Sequence, residues 1–397
     1  MTIWKISVQN IKSKQGYTLV SIFTLALSMM LLLGIQQLKK TFQYQITNNV
    51  QEIDMVVGAK GSPLQLVLSS VLHIDNPTGN ILYNNAKKIS ESPLVKTAIP
   101  ISYGDNYKGY RIIGTTKQFS SLYKAQLEKG RQANKTMEVV LGYHVAKQLG
   151  LKLGDTFLSS HGLMENELEV HTEPLTVVGV YKQANKVIDR LIVTDLETIW
   201  DVHHYHKEEK QNAKEIREIT SLLIAFKSPL GFLTMPKKVN KNTNLQAALP
   251  KYELDKLYEY TGIGFTVISI IAYIIFLVSS IIIFMSIYKM IKEHSVYLAL
   301  FRTYGASNFQ LLKMVAYEAF IIVFIAFVLG VILTKGGLYF MFNLIDVFDQ
   351  QNILQALSFR AYLQVGGLIF TVVITSVLLV IYPIIKMNIS TILSHEK

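Results

Sequence analysis

One short segment of this sequence carries the side chains of a metal site. Three histidines, an aspartate and two glutamates crowd together there: Asp201, His203, His204, His206, Glu208 and Glu209. Imidazole and carboxylate groups are ligands for Zn²⁺ and Cu²⁺, and the chain has no cysteine to compete for either ion. The alternative interpretation is an ordinary polar loop after Trp200. The residue types alone leave both interpretations open.

The spacing of these histidines limits what they can bind. His204 and His206 share one side of a strand, whereas His203 and His206 pair at i and i+3 on a helix. In either case two imidazoles converge and the third does not, so a tetrahedral site needs a ligand from another segment. The candidates for that ligand are His73, Asp75, His161 and His171. We expect Zn²⁺ binding to weaken as pH falls through about 6.5, because only neutral imidazole coordinates the ion.

Signatures of nucleotide hydrolysis and of the common hydrolases are missing from the sequence. There is no GxxxxGK[ST] phosphate loop, and Gly58–Ser62 has a lysine and a serine at the wrong spacing for one. We interpret that segment as a tight turn after a strand. GxSxG and HExxH are also missing. We therefore expect no catalytic residues and no bound cofactor in this chain, apart from the possible zinc ion.

Four apolar runs indicate how the chain is organised. The first covers residues 17–35, and the others cover about 263–288, 315–333 and 363–382. Each is about 19 residues or longer, which at about 1.5 Å per residue crosses a hydrocarbon core of about 30 Å. The first run is longer than the apolar core of a signal peptide and no cleavage pattern follows it, so we expect an uncleaved span.

A polar segment, residues 36–259, separates the first two runs and is long enough for one or two folded domains. Six stretches in it are rich in Val, Ile, Thr and Tyr and are bounded by turn residues: 53–57, 95–102, 110–114, 138–141, 168–181 and 191–194. Helical patterns lie between them at 82–91 and 143–149. The predicted fold class is an α-helical membrane protein with four transmembrane helices (1+3) and a large α+β extracytoplasmic domain inserted between the first and second.

Lysine and arginine in the short flanks predict the orientation. Residues 1–16 hold three lysines and no acid, and their stripe of Trp4, Val8 and Ile11 predicts an amphipathic helix at the cytoplasmic interface. The loop between the second and third runs holds four basic residues against one acid. Both termini and that loop are therefore predicted to be cytoplasmic.

The formal net charge of the chain is +11. Anionic lipid is a better partner for this charge than nucleic acid, because no nucleic-acid motif accompanies it.

Several motifs, in this order, resemble the MacB/FtsX-type permease subunits of ABC transporters. Residues 142–155 (GYHVAKQLGLKLGD) are similar to the "G..lA..LGl..GD" segment of that family, and residues 175–181 (LTVVGVY) to its "f.VvGv" strand. Residues 300–307 (LFRTYGAS) are similar to its "lRalGAs" element. Tyr382-Pro383 resembles the terminal "yPa", and Glu318 stands where the family often has an acidic residue. The resemblance covers essentially the whole length.

The resemblance implies a MacB-like core domain at 36–259 and an FtsX-like permease domain at 260–397. It also implies an ABC ATPase on a separate subunit, a homodimer or heterodimer of permeases, and a long helix from about Tyr252 to Glu293 that transmits movement. The residues expected to couple to the ATPase are Lys292, Leu298, Phe301, Arg302 and Tyr304, whose apolar members recur at i, i+3 and i+6. Glu318 is expected to pair with a donor among the helices; the alternatives are that it reaches the cytoplasmic surface or that it takes part in ion conduction.

Taken together, these features predict a multi-pass permease of the bacterial inner (plasma) membrane that moves an extracytoplasmic domain for export or extraction of a substrate. Few polar groups lie in the spans, so we expect the work to be done on an extracytoplasmic partner rather than through a wide pore. Two alternatives belong to other classes: an FtsX-like signalling scaffold that activates a cell-wall hydrolase, and a membrane-anchored metal sensor. Copurification of an ATPase would exclude the sensor, and a bound hydrolase would favour the scaffold.

Overall fold

The computed structural model of this chain describes residues 3–13, 15–50, 52–161, 170–204, 217–293, 303–344 and 357–386. They form two compact units. Met1–Phe42 and Thr261–Lys397 make up a helical unit, called here the membrane unit, and Gln43–Tyr260 make up the second, called here the α+β domain. The predicted fold class is confirmed: one apolar helix, then a large α+β domain, then three more apolar helices.

Five of the described helices lie wholly or partly in the membrane unit. They are α1 (Ile3–Ser13), α2 (Gln15–Val50), α9 (Pro250–Glu293), α10 (Asn308–Leu344) and α11 (Phe359–Lys386). Among the described residues, α2, α9, α10 and α11 are long and apolar enough to cross a membrane. Each extends beyond its predicted span because polar but helix-compatible residues flank the apolar run. Helix α9 begins at Pro250, whose fixed φ suits a first helical turn, and its 44 residues are about 66 Å long.

Small residues let the helices of the membrane unit approach closely. Gly330 of α10 faces α2, where an added Cβ would lie 2.9 Å from Met29 Cβ and 3.1 Å from the Ala26 carbonyl oxygen. Helix α9 meets α2 through Ser279, whose hydroxyl donates a hydrogen bond to the Thr24 carbonyl oxygen over 3.2 Å. A shared apolar cluster with members from α2, α9, α10 and α11 fills the space between them.

In the α+β domain, ten of the described strands make one sheet system in the order β12-β1-β11-β3-β4-β9-β6-β8-β5, with β7 pairing to β3 and β8. The strands are β1 Met55–Ala59, β3 Val95–Tyr107, β4 Tyr110–Thr115, β5 Leu127–Gly130, β6 Glu138–Leu141, β7 Thr156–His161, β8 Val170–Tyr181, β9 Ile192–Asp195, β11 Ser221–Phe226 and β12 Leu245–Ala248. A separate pair joins β2 (Ile81–Leu82) to β10 (Glu218–Ile219).

Short helices connect these strands: α3 Pro63–Ser70, α4 Tyr83–Ser90, α5 Phe119–Leu122, α6 Tyr143–Leu149, α7 Leu196–His204 and α8 Leu230–Asn242. A 3-10 turn, Val187–Arg190, precedes β9. The predicted stretches near 53–57, 95–102, 110–114, 138–141, 168–181 and 191–194 are confirmed as strands within three residues at their starts. Helices at 82–91 and 143–149 are confirmed as α4 and α6.

Six of the strands close on themselves. β3 pairs with β4, β4 with β9, β9 with β6, β6 with β8, β8 with β7, and β7 again with β3. We call this ring the six-strand circuit. One apolar cluster is built from its strands together with α6 and α7, and includes Ile112, Leu141, Phe157 and Val177. Closure leaves no free edge within the circuit, so its strands constrain one another.

Candidate functional site

The histidine segment follows Trp200 at the end of α7. The indole Nε1–H of Trp200 donates to the Glu218 carbonyl oxygen over 2.7 Å, and the Arg217 guanidinium lies 4.6 Å from the Trp200 ring centroid. His203 and His204 are the last two residues of α7, and Asp201 is half-buried. His206 lies outside the described residues. The zinc hypothesis therefore stays a prediction.

Of the four proposed additional ligands, His73 is fully engaged elsewhere. Its Nδ1 contacts the Tyr103 hydroxyl and its Nε2 lies 3.3 Å from the Tyr123 hydroxyl. Burial, with smaller contributions from the charges of Arg111 and Arg190, lowers the pKa of His73 to about 3. Both ring nitrogens are used inside the domain core, so His73 is a structural residue.

His171 is also buried in a polar network. Its Nε2 lies 3.2 Å from Asp105 Oδ1, and the Ser159 hydroxyl donates to Asp105 Oδ2 over 3.1 Å. These three side chains come from β3, β7 and β8, the strands at which the six-strand circuit closes. The Ser159 hydroxyl and the His171 imidazole are both directed at the Asp105 carboxylate, so the three side chains act as a structural lock on the closure.

Among the described residues, no group of three or more histidine, aspartate and glutamate side chains is placed to hold a metal ion. The Asp75 carbonyl oxygen accepts a hydrogen bond from Arg111 Nη2 over 2.7 Å, which ties its loop to β4. The side chain of His161 is outside the described part.

The expected ATPase-coupling segment is described only at its two ends. Lys292 is exposed in the last turn of α9, and Tyr304 is 86% exposed ahead of α10. Leu298, Phe301 and Arg302 lie outside the described residues. An exposed tyrosine ring at this position is available to a binding partner.

The structure explains the "GAS" motif that ends this segment. Gly305 has φ of +91°, which a residue with a side chain rarely adopts. Ser307 then caps α10: its backbone N–H donates to Gln310 Oε1 over 2.9 Å, and the Gln310 N–H donates to Ser307 Oγ over 3.3 Å. This reciprocal pair is a capping box, which sets where α10 begins.

Helix α1 packs against α10. The Ser7 hydroxyl donates to the Met314 carbonyl oxygen over 3.1 Å, and the Trp4 ring meets the Tyr317 ring edge-on at 5.8 Å. Glu318 follows directly and is 2% exposed. That burial disagrees with the alternative in which Glu318 reaches the surface, and it supports a role among the helices.

The two ends of α2 carry contacts that sequence analysis missed. At its start, the Tyr17 hydroxyl contacts Lys289 near the end of α9, with the ammonium 4.0 Å from the ring centroid. At its other end, Asn49 is 4% exposed and its Oδ1 accepts a hydrogen bond from the Val187 N–H over 3.0 Å. The adjacent asparagines Asn48 and Asn49 were the available signal, since asparagine disfavours a helix interior and favours local polar contacts.

The family motif that starts at Gly142 has a structural cause as well. Gly142 precedes α6, and an added Cβ would lie 2.4 Å from the Ile188 carbonyl oxygen and 2.5 Å from that of Asp189. Gly150 ends α6 with φ of +66°. Only glycine fits at position 142, because the 3-10 turn packs directly on the backbone there.

Two family models match this chain: the MacB-like periplasmic core domain over residues 18–229 and the FtsX-like permease C-terminal domain over residues 269–389. No curated protein sequence matches it. Similar solved structures include the periplasmic region of MacB from Actinobacillus actinomycetemcomitans, which is 13% identical with a TM-score of 0.35 and aligns over 53% of this chain and 97% of that chain.

A second similar structure is the extracellular domain of the noncanonic ABC-type transporter YknZ from Gram-positive bacteria. It is 12% identical with a TM-score of 0.32 and aligns over 49% of this chain and 98% of that chain. The core-domain match covers more than half of the chain, and the permease match covers most of the remainder.

Proposed function

Since this chain belongs to the MacB/FtsX-type permeases of ABC transporters, we propose that it couples ATP hydrolysis on a separate ATPase subunit to movement of its α+β domain. The domain then acts on a substrate or partner protein outside the cytoplasm, for export or extraction. Two copies, or two related permeases, would assemble over two ATPases.

The observation that carries this proposal is the continuity of α2 and α9. Each is one uninterrupted helix whose residues belong to both compact units. Within the membrane unit the two helices are joined at Thr24–Ser279 and Tyr17–Lys289. Within the α+β domain, Val50 and Leu254 are buried members of the main apolar cluster. Because an α-helix is stiff along its axis and both ends are packed in a core, we expect a displacement at one end to be transmitted to the other.

A second observation supports docking of the ATPase at the 292–307 segment. The capping box and the positive φ of Gly305 hold the start of α10 in one geometry, and they present Tyr304 to solvent. A rigid turn with an exposed aromatic ring and neighbouring basic residues fits a groove on a partner subunit. The cytoplasmic position of this segment follows from the positive-inside rule and is part of the proposal.

The test is purification of the full-length chain from its native membranes, with ATPase activity as the readout. We expect an ABC ATPase to copurify. The double variant Phe301→Asp, Arg302→Asp should weaken that association about thirtyfold or more, since loss of an interface hot spot costs about 2 kcal/mol.

The chain offers a matched control in a second Phe-Arg pair, Phe359 and Arg360, at the start of α11, where both side chains are exposed. The same double change to aspartate there should leave ATPase association intact. Absence of any ATPase in the wild-type preparation would overturn the proposed function. Equal association in the two double variants would overturn only the assignment of the docking segment.

A further inference from the structure

The end of α2 lies within the α+β domain, and the buried side chain of Asn49 joins it to a distant part of that domain. Asn49 Nδ2 donates to the Gln45 carbonyl oxygen one turn earlier over 2.8 Å, and Asn49 Oδ1 accepts from the Val187 N–H over 3.0 Å. The two bonds require opposite ends of the amide, so they assign its orientation without ambiguity. Anchored at both ends, the amide cannot rotate without breaking a buried hydrogen bond.

The 3-10 turn that receives this bond is itself held in shape. The Asp189 carboxylate is buried and accepts hydrogen bonds from the backbone N–H groups of Ala184 and Asn185 over 2.7–3.1 Å. Burial raises the pKa of Asp189, whereas the backbone donors lower it. Val187 and Ile188 also share an apolar cluster with Val50 of α2. The turn is therefore packed against the end of α2 and hydrogen-bonded to it.

On its other side the turn contacts the six-strand circuit. The Gly142 N–H donates to the Leu191 carbonyl oxygen over 2.8 Å, and the Gly142 Cα lies against the carbonyl oxygens of Ile188 and Asp189. Gly142 directly follows β6, and β9 starts at Ile192. Both strands are members of the circuit, so a shift of the turn displaces two of its paired strands and the start of α6.

We propose that Asn49 is the positioning residue through which α2 transmits its movement, by way of the Val187–Arg190 turn and Gly142, into the six-strand circuit. This inference rests on the proposed function, in which α2 moves when the ATPase binds and hydrolyses ATP. It adds the point at which the movement is transferred, which is the hydrogen bond between the Asn49 side chain and the Val187 N–H, 138 positions apart in the chain.

The test is amide hydrogen exchange on the full-length chain in complex with its copurified ATPase, with and without ATP and vanadate. In the resting wild type, the Val187 N–H should be protected. The Asn49→Ala variant should exchange there about tenfold faster, the change expected when a hydrogen bond of ordinary strength is lost. It should also lose the ATP-dependent change in exchange at residues 142–150 that the wild type displays.

Two further variants isolate the link. Asn48→Ala makes the same substitution on the neighbouring, half-buried asparagine of α2 and should retain the ATP-dependent change. Asn49→Ser can still donate to the Gln45 carbonyl oxygen through its hydroxyl but is too short to reach Val187. It should therefore behave like Asn49→Ala, and it decides the question if the alanine variant does not fold.

The outcomes separate the two proposals. A wild-type complex without any ATP-dependent change in exchange within residues 43–260 would contradict the proposed function itself. A wild-type response that persists in Asn49→Ala and Asn49→Ser would contradict the role of Asn49 and leave the proposed function standing. An equal loss of the response in Asn48→Ala would also contradict the role of Asn49.

Discussion

At the scale of single residues, the buried carboxylate of Asp105 holds together three strands of the α+β domain. It is buried and receives Ser159 from β7 and His171 from β8 at the seam of the six-strand circuit. A buried polar group costs free energy unless it is paired, and removing one member leaves the others without a partner. Such a network specifies one closure of the ring among the possible ones.

We expect Asp105→Ala to lower the free energy of unfolding by about 2–4 kcal/mol, because two buried donors lose their acceptor. Thermal unfolding of the full chain in detergent, followed by circular dichroism, measures the loss. The control is Asp155→Ala, which removes an exposed carboxylate that accepts a hydrogen bond from the Lys152 backbone N–H over 2.8 Å. Its effect should stay below about 1 kcal/mol. Similar losses in the two variants would contradict the role of Asp105 as a lock.

His73 makes the stability of the domain depend on pH. Its pKa is about 3 in the folded chain against an ordinary value of 6.5, chiefly because of burial. Between these two values the unfolded chain binds a proton that the folded chain does not, so stability falls as pH drops below about 6.5. The slope approaches about 1.4 kcal/mol per pH unit where the difference is one whole proton.

The His73→Gln variant should therefore lose less stability than the wild type between pH 7 and pH 5. Melting temperatures across that range measure the slope. An unchanged slope in His73→Gln would exclude this histidine as the source of the pH dependence.

At the scale of elements, contact between α2 and α10 depends on the missing side chain of Gly330. A methyl group there would meet Met29 Cβ at 2.9 Å and the Ala26 carbonyl oxygen at 3.1 Å, so the two helices would have to separate. We expect Gly330→Ala to destabilise the membrane unit by about 1–3 kcal/mol through overpacking.

Gly336 lies on the same helix and provides the control. An added Cβ there has no atom within 4 Å, so Gly336→Ala should be neutral or should stabilise α10 by up to about 1 kcal/mol. Thermal unfolding of the purified full chain in detergent, followed by circular dichroism, compares the stability of the two variants. If Gly336→Ala were the more damaging of the two, the helix contact assigned to Gly330 would be wrong.

At the scale of the whole molecule, the proposed mechanism requires the α+β domain and the 292–307 segment to lie on opposite sides of the membrane. The absence of cysteine makes this directly testable by single-cysteine labelling. Lys129, exposed on β5, and Tyr304 are suitable positions. In spheroplasts, a membrane-impermeant maleimide should label the Lys129→Cys variant at once and the Tyr304→Cys variant only after lysis. The reverse pattern would invert the topology and remove the basis for ATPase docking at 292–307.

Local features of this protein were determined by the sequence itself, because they depend on residues close together in the chain. Apolar runs long enough for a bilayer predict the four spanning helices. Alternating β-branched residues between turn signals predict the strands, including Glu138–Leu141 at its exact bounds. The capping box at Ser307 and the positive φ of Gly305 are also local, and they belong to a motif that carried the family resemblance.

Long-range pairing was decided only by the tertiary structure. Nothing near Asp105 in the chain indicates that residues 54 and 66 positions later complete its network, and Asn49 meets Val187 across 138 positions. His73 has the side chain of a metal ligand, yet packing placed it between two tyrosines in a core. Local sequence sets which face of an element is apolar and where it turns. Which strand or helix each element pairs with is decided by closure of the six-strand circuit and by burial of polar groups in hydrogen-bonded pairs. These interactions form only when the whole domain has assembled, so no local stretch of sequence contains them.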